Sequence, residues 1–265
     1  SVSTGGAIVA TDVVSVGTTK DVILTSASGA VTGTLIKSSG SMTITASSGT
    51  VELVDVDTTD GSITVSATGL ITATDVVTGN NNNVNLTGTG IAVSLINAGT
   101  SGDVTLNAGT GAITQDGTDD KDDVTADVLT ADATVGIDLD TTVASANISV
   151  SGTGVITLDE SDSIILTDLD TVNGTITVTS GGAMTATDIQ AGTNSNIALT
   201  TTTGDITGVG TITAGTGNVV LVSAASVIDD GISSTLISAN DLDITAETSS
   251  DSTNKVEVDT SVTSL

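Results

Sequence analysis

The side chains of this sequence that could do chemistry are almost all carboxylates. Of 265 residues, 32 are Asp or Glu and only four are Lys, for a formal charge of −28 at pH 7. The densest run is Asp116-Gly117-Thr118-Asp119-Asp120-Lys121-Asp122-Asp123, and a shorter one is Asp159-Glu160-Ser161-Asp162. Hard oxygen donors in such number suit calcium, which draws its ligands from carboxylates, carbonyls and water. Asp116, Asp119, Asp120, Asp122, Asp123, Asp159 and Asp162 are therefore the candidate calcium ligands. The spacing is not that of an EF-hand, whose Gly and terminal Glu are missing, and the Gly-Gly-x-Gly-x-Asp calcium repeat is absent. A solvated acidic loop that keeps the chain soluble accounts for the same residues. No cofactor is required on this reading, and calcium is the one optional ion.

The absent residues exclude more than the present ones assert. Without His or Cys there are no zinc, copper, haem or iron–sulfur ligand sets, and no Ser-His-Asp or Cys-His nucleophile. Without Arg or aromatics, and with this charge, neither phosphate neutralisation nor base stacking is on offer, so no nucleic-acid partner is expected. The pairs Asp229-Asp230 and Asp159-Glu160 have the residue types of a glycosidase acid and base. Neighbours in a strand point to opposite faces, however, and no Arg, His or aromatic platform exists to hold a sugar. The chain is not expected to be an enzyme. No apolar run is long enough to span a bilayer as a helix, so membrane insertion is not expected either. No signal-peptide pattern begins at Ser1, so a secreted protein would be represented here by a mature or excised segment.

The elements that carry these carboxylates are read from a repeat. Aliphatic pairs at i and i+2 recur at Val22/Leu24, Met42/Ile44, Ile63/Val65, Val84/Leu86 and Val104/Leu106, spaced by 20, 21, 21 and 20 residues. Later pairs are Ile148/Val150, Ile176/Val178, Ile197/Leu199, Val219/Leu221 and Leu242/Ile244. A glycine follows most pairs and opens a second short apolar piece, such as Leu70-Ile71 or Val155-Ile156, and a third follows at Val76-Val77 or Val128-Leu129. Side chains at i and i+2 share one face, so each unit reads as three short strands with one buried face. One such unit cannot bury that face alone, whereas stacked units bury a continuous aliphatic column.

The fold class is thus all-β: a right-handed parallel β-helix, or β-solenoid, of about twelve coils of 20–22 residues. At about 4.8 Å per coil it would be a rod roughly 55–60 Å long. The absence of proline fits strands paired above and below, and 53 Thr suit β structure. Turns with positive φ are expected at Asn80-Asn81-Asn82-Asn83 and Asn173-Gly174. One continuous segment, 1–265, is expected, with acidic loop insertions near 116–123 and 159–163, where the repeat register breaks. Asp12, Asp55, Asp75, Asp127, Asp168 and Asp188 each precede an aliphatic residue of the third strand, with Thr34, Ser94 and Thr235 in the equivalent place elsewhere. Of these, Asp55 and Asp75 fall in consecutive coils, where like charges repel unless a cation bridges them or water separates them.

The stretch Thr100-Ser-Gly-Asp-Val-Thr-Leu-Asn-Ala-Gly-Thr-Gly-Ala-Ile-Thr114, with Ala183-Met-Thr-Ala-Thr-Asp-Ile189 and Gly204-Asp-Ile-Thr207, resembles the repeats of filamentous-haemagglutinin-like and autotransporter-type bacterial surface proteins. The resemblance covers nearly the whole chain and implies a structural, non-catalytic β-helical segment of an extracellular bacterial fibre or adhesin shaft. It implies placement outside the cell or on its surface, and a cell-surface receptor or polysaccharide as partner. The alternative is a self-assembling surface-layer, sheath or matrix filament subunit with calcium-bridged contacts. In either case the chain would associate end to end, with further coils of its own chain or with copies of itself. No helix, proline-bearing strand or bulky loop is legible as a cap on the terminal coils. Two minor alternatives are a polysaccharide-acting enzyme on the same fold and an ice-binding solenoid. For the latter, Thr72-Ala-Thr74 and Thr185-Ala-Thr187 fit a flat array that Glu52, Ala92 and Gln115 interrupt.

Overall fold

The computed structural model describes residues 1–115, 122–234, 236–247 and 255–264. They form an all-β, right-handed parallel β-solenoid of about twelve coils, and every strand pairing with a resolved register is parallel. The chain divides into two compact units, Ser1–Ala133 and Thr134–Leu265, each built on three columns of stacked strands. No helix among the described residues is long and apolar enough to cross a membrane.

In the first unit the first column stacks Val22, Met42, Ile63, Val84, Val104 and Leu129 in register. The second stacks Ile8, Val31, Val51, Ile71, Ile91 and Ile113, and the third Val13, Ile36, Val56, Val76, Ile96 and Val124. Burial alternates along each strand, as in Ile63–Ala67, where Ile63, Val65 and Ala67 are buried and Thr64 and Ser66 exposed. Like therefore sits on like: one β-branched residue above another fills a narrow interior without any ring. Ile36, Ile44, Ile63, Leu86 and Leu106 are all at 0 % exposure, a dry aliphatic column.

In the second unit the first column is Ile137, Ile156, Ile176, Ile197, Val219 and Leu242. Ile148 heads the third column instead, above Leu169, Ile189, Ile212 and Ile237. This corrects the sequence reading, which placed Ile148/Val150 in the first column and Val155-Ile156 in the second. The cause is a pair of corners without a break: Gly136–Val150 is a single 15-residue strand that runs round both. With no glycine between the apolar pieces, sequence spacing alone cannot mark where one face ends. Likewise Val124, not Val128, belongs to the third column of the first unit, and Leu129 starts the next coil.

Corners are closed by buried hydroxyls. Ser26, Ser38, Thr58, Thr78, Thr171, Ser180, Thr201 and Ser223 end their strands facing inward, each donating to a carbonyl of the turn that follows. A turn buried against a solenoid interior has carbonyls that water cannot reach, and a hydroxyl two to four residues back satisfies them locally. Outer corner residues tie one coil to the next. Asp21 Oδ1 accepts from Ser41 N at 2.9 Å, Asn83 Oδ1 from Asp103 N at 3.0 Å, and Asp205 Oδ1 from Ser226 N at 2.7 Å. Asn80 and Asn81 have φ of 54° and 56°, as expected of the Asn run. Asn173-Gly174 is different, since neither residue has positive φ. Gly174 is required by closeness instead: a Cβ there would lie 1.6 Å from the Gly154 carbonyl oxygen of the coil beneath.

Candidate functional site

Residues flanking the inward aliphatics of the third column stand beside a corner, and many of them, including Lys37, Asp55, Asp57, Asp75, Asp168 and Asp170, are half-buried. In the first unit Lys37 follows Ile36, Asp55 and Asp57 flank Val56, and Asp75 precedes Val76. Register sets Lys37 against Asp57, and the ammonium lies 2.5 Å from Asp57 Oδ2 and 3.4 Å from Asp55 Oδ1. The hydrogen bond to Asp57 is the main cause that raises the Lys37 pKa above its ordinary value. Asp75 is pushed up by burial first, then by the Asp57 and Asp55 carboxylates, with Lys37 opposing. Its Oδ1 is buried without a hydrogen-bond partner. Asp55 and Asp75 thus stack as expected, but with Lys37 and Asp57 in the same cluster. The place expected for Thr34 and Ser94 is held by Leu35 and Leu95, one residue on. Asp127 stands outside this column, and Asp123 precedes Val124 there. Thr235 lies outside the described residues.

The second unit repeats the constellation. Asp168 and Asp170 flank Leu169, Asp188 and Gln190 flank Ile189, and Ser149 follows Ile148. Asp168 and Asp188 therefore also occupy consecutive coils. Gln190 Nε2 donates to Asp188 Oδ1 at 3.0 Å. Asp170 is raised by burial, then by Asp168 and Asp188, and its Oδ1 is buried without a hydrogen-bond partner. It lines a hollow of about 360 Å³ together with Ser149, Ser151, Thr171, Val172 and Gln190.

Glu160 is an enclosed carboxyl. Glu160 ends the strand Ile156–Glu160 at 4 % exposure, in a column of buried hydroxyls: Thr141 beneath it, then Ser180 and Thr201 above. Its Oε2 accepts from Thr141 Oγ1 at 2.8 Å and Val143 N at 3.0 Å, and its Oε1 from Asp162 N at 3.2 Å. Burial raises its pKa to about 7, against the three donors, which favour the charged form.

The expected calcium ligands fall out as follows. Asp116, Asp119 and Asp120 lie outside the described residues. Asp122 and Asp123 belong to the first unit, where Asp123 is buried at 2 % exposure and its carbonyl accepts from Ile96 N. Asp159 and Asp162 are exposed residues of the second unit. The stretch 159–163 is not an inserted loop: Asp159 and Glu160 are in strand, paired with Thr179 and Ser180, and only 161–163 turn the corner. Among the described residues no group of three or more His, Cys, Asp or Glu is placed to hold a metal ion. Sequence reasoning missed Asp170 and Lys37, and it named Glu160 only beside Asp159 and not as an enclosed carboxyl. The signal for Glu160 was present, because Ile156, Leu158 and Glu160 alternate onto one face. Asp168 and Asp188 were both legible as third-strand residues, but the sequence reading singled out only Asp55 and Asp75 as lying in consecutive coils.

No protein-family model matches the chain, and neither do any curated protein sequences or solved structures.

Proposed function

We propose that this chain is a structural, non-catalytic shaft segment of an extracellular bacterial fibre or adhesin. The observation that carries the reading is how the side chains are used: inward positions stack like on like, and corner hydroxyls and amides are taken up by turn-closing and coil-to-coil hydrogen bonds. A scaffold of this kind transmits length and stiffness without offering a reaction centre. The resemblance of the repeats to filamentous-haemagglutinin-like and autotransporter-type proteins supports the same reading, as does the lack of Arg, His and aromatic side chains that would grip an acidic sugar.

A second reading, a self-assembling coat or filament subunit, is favoured by the strands Val2–Thr4, Ile8–Ala10 and Val13–Val14. Each has a parallel neighbour on one side only among the described residues. Further coils of the same chain or a second copy would satisfy those amides and carbonyls equally well. Negative-stain microscopy of the purified chain at high concentration, with and without calcium, separates the two. Thin filaments that bundle on adding calcium support the subunit, whereas strict monomers leave the shaft segment. Product release from pectate or alginate, lost on replacing Asp229 and Asp230, would overturn both.

A further inference from the structure

The two carboxylate constellations are the same arrangement built twice. Position by position, Asp55, Asp57 and Asp75 of the first unit correspond to Asp168, Asp170 and Asp188 of the second, each placed by its register against the third-column aliphatic. The coil beneath differs. Where the first unit has Lys37, whose ammonium reaches Asp57 and Asp55, the second has Ser149. A serine cannot supply that cation, and it borders the hollow that Asp170 also lines. The carboxylate that binds Lys37 in one unit therefore corresponds to the carboxylate with a buried, unpartnered oxygen in the other.

We infer that the hollow beside Asp170 binds a primary alkylammonium group, the chemistry that Lys37 provides within the chain in the first unit. An ammonium brings three donors and needs only a few acceptors, which Asp170, Ser149 and Gln190 on the wall of the hollow can provide. A bare divalent ion fits less well, because no three carboxylates among the described residues are placed to hold a metal. Val172, 54 % exposed on the rim, offers an apolar wall for the methylene stem of such a ligand. The field of a −28 chain draws cations to it.

The alkylammonium has two possible sources, a small free amine or a lysine side chain of another protein, and the probes distinguish them. Butylamine and Nα-acetyl-lysine amide are titrated separately into the full chain while its amide resonances are followed, with butanol as the uncharged control. Saturable shifts centred on Ser149, Asp170 and Gln190 are expected with the amines and none with butanol. If both amines bind, the site accepts a protein lysine; if butylamine alone binds, the ligand is a small amine. Asp170→Asn should weaken binding by about tenfold or more. Ser149→Lys should abolish it and raise the thermal midpoint, while Asp57→Asn in the first unit should leave it unchanged. Non-saturating shifts equal in the wild type and Asp170→Asn would overturn the inference. So would calcium displacing the amine far better than sodium at matched ionic strength, which would make this a metal site.

Discussion

Thr141, Glu160, Ser180 and Thr201 stack in one buried column, and only Glu160 among them ionises. Its proton is held more tightly in the folded chain, at a pKa of about 7 against 4.5 for the ordinary group. Between these values the native state binds more protons than the unfolded state, so stability falls as pH rises from about 4.5 to 7, then levels off. The full effect is on the order of a few kcal/mol, at about 1.4 kcal/mol for each unit of pKa difference. Half-buried Asp75 and Asp170 are also raised and act in the same direction. Urea midpoints at pH 5 and pH 8 should therefore differ, with the lower stability at pH 8. Glu160→Gln, which keeps the shape and removes the charge, should shrink that difference, and an unchanged pH slope in the variant would refute the role of Glu160. At another corner, Thr171 Oγ1 donates to the Gly174 carbonyl at 2.5 Å. Thr171→Val should cost about 1–3 kcal/mol by leaving that buried carbonyl unsatisfied, whereas Thr171→Ser should cost much less. Equal losses in the two variants would show that the hydroxyl is not what closes the turn.

Strands in this protein derive their placement from two-residue alternation, and their register is testable by charge. Ile63 and Leu106 lie at 0 % exposure, between Met42 and Val84 and beside Leu86 respectively. Ile63→Asp or Leu106→Asp should be severe, of order 4 kcal/mol or more, because an unpaired carboxylate enters a dry column. Thr64→Asp and Thr105→Asp, at the positions next to Ile63 and Leu106 and facing outward, should stay within about 0.5–1 kcal/mol. Chemical denaturation of the four variants decides it, and equal damage in both pairs would mean the register is wrong. The same alternation fails as a guide where a strand turns a corner unbroken, as in Gly136–Val150. There the inward residues Ile137, Leu139 and Val143 run on into Ala146 and Ile148 with no glycine between them, the alternation slipping by one residue at Ala144-Ser145, and only the pairing of Ile137 with Ile156 and of Ile148 with Leu169 fixes the columns.

At the scale of the whole molecule the governing quantity is charge. A chain at −28 with four lysines repels itself and its neighbours, and every added salt relieves part of this by screening. Calcium should raise the thermal midpoint more than sodium at equal ionic strength if the acidic run around Asp119, Asp120, Asp122 and Asp123 orders on it. Site binding adds a concentration-dependent term that screening lacks. Coincident midpoints in the two salts would rule out calcium binding by that run. Lateral association should follow the same rule, appearing with divalent cations and not with sodium.

The sequence by itself determined the architecture. A 20–22-residue period, i, i+2 aliphatic pairs and the absence of ring and proline residues leave parallel stacking as the only way to bury so narrow an apolar face. It also determined most of the inward residues, since alternation is local. The tertiary structure alone decided which coil lies on which. That choice pairs Lys37 with Asp57 and sets Asp168 beneath Asp188, and it encloses Glu160 between Thr141 and Ser180. The physical reason is that these contacts join residues about 20 apart across a stack, and a corner without glycine leaves no local mark of where one face ends and the next begins.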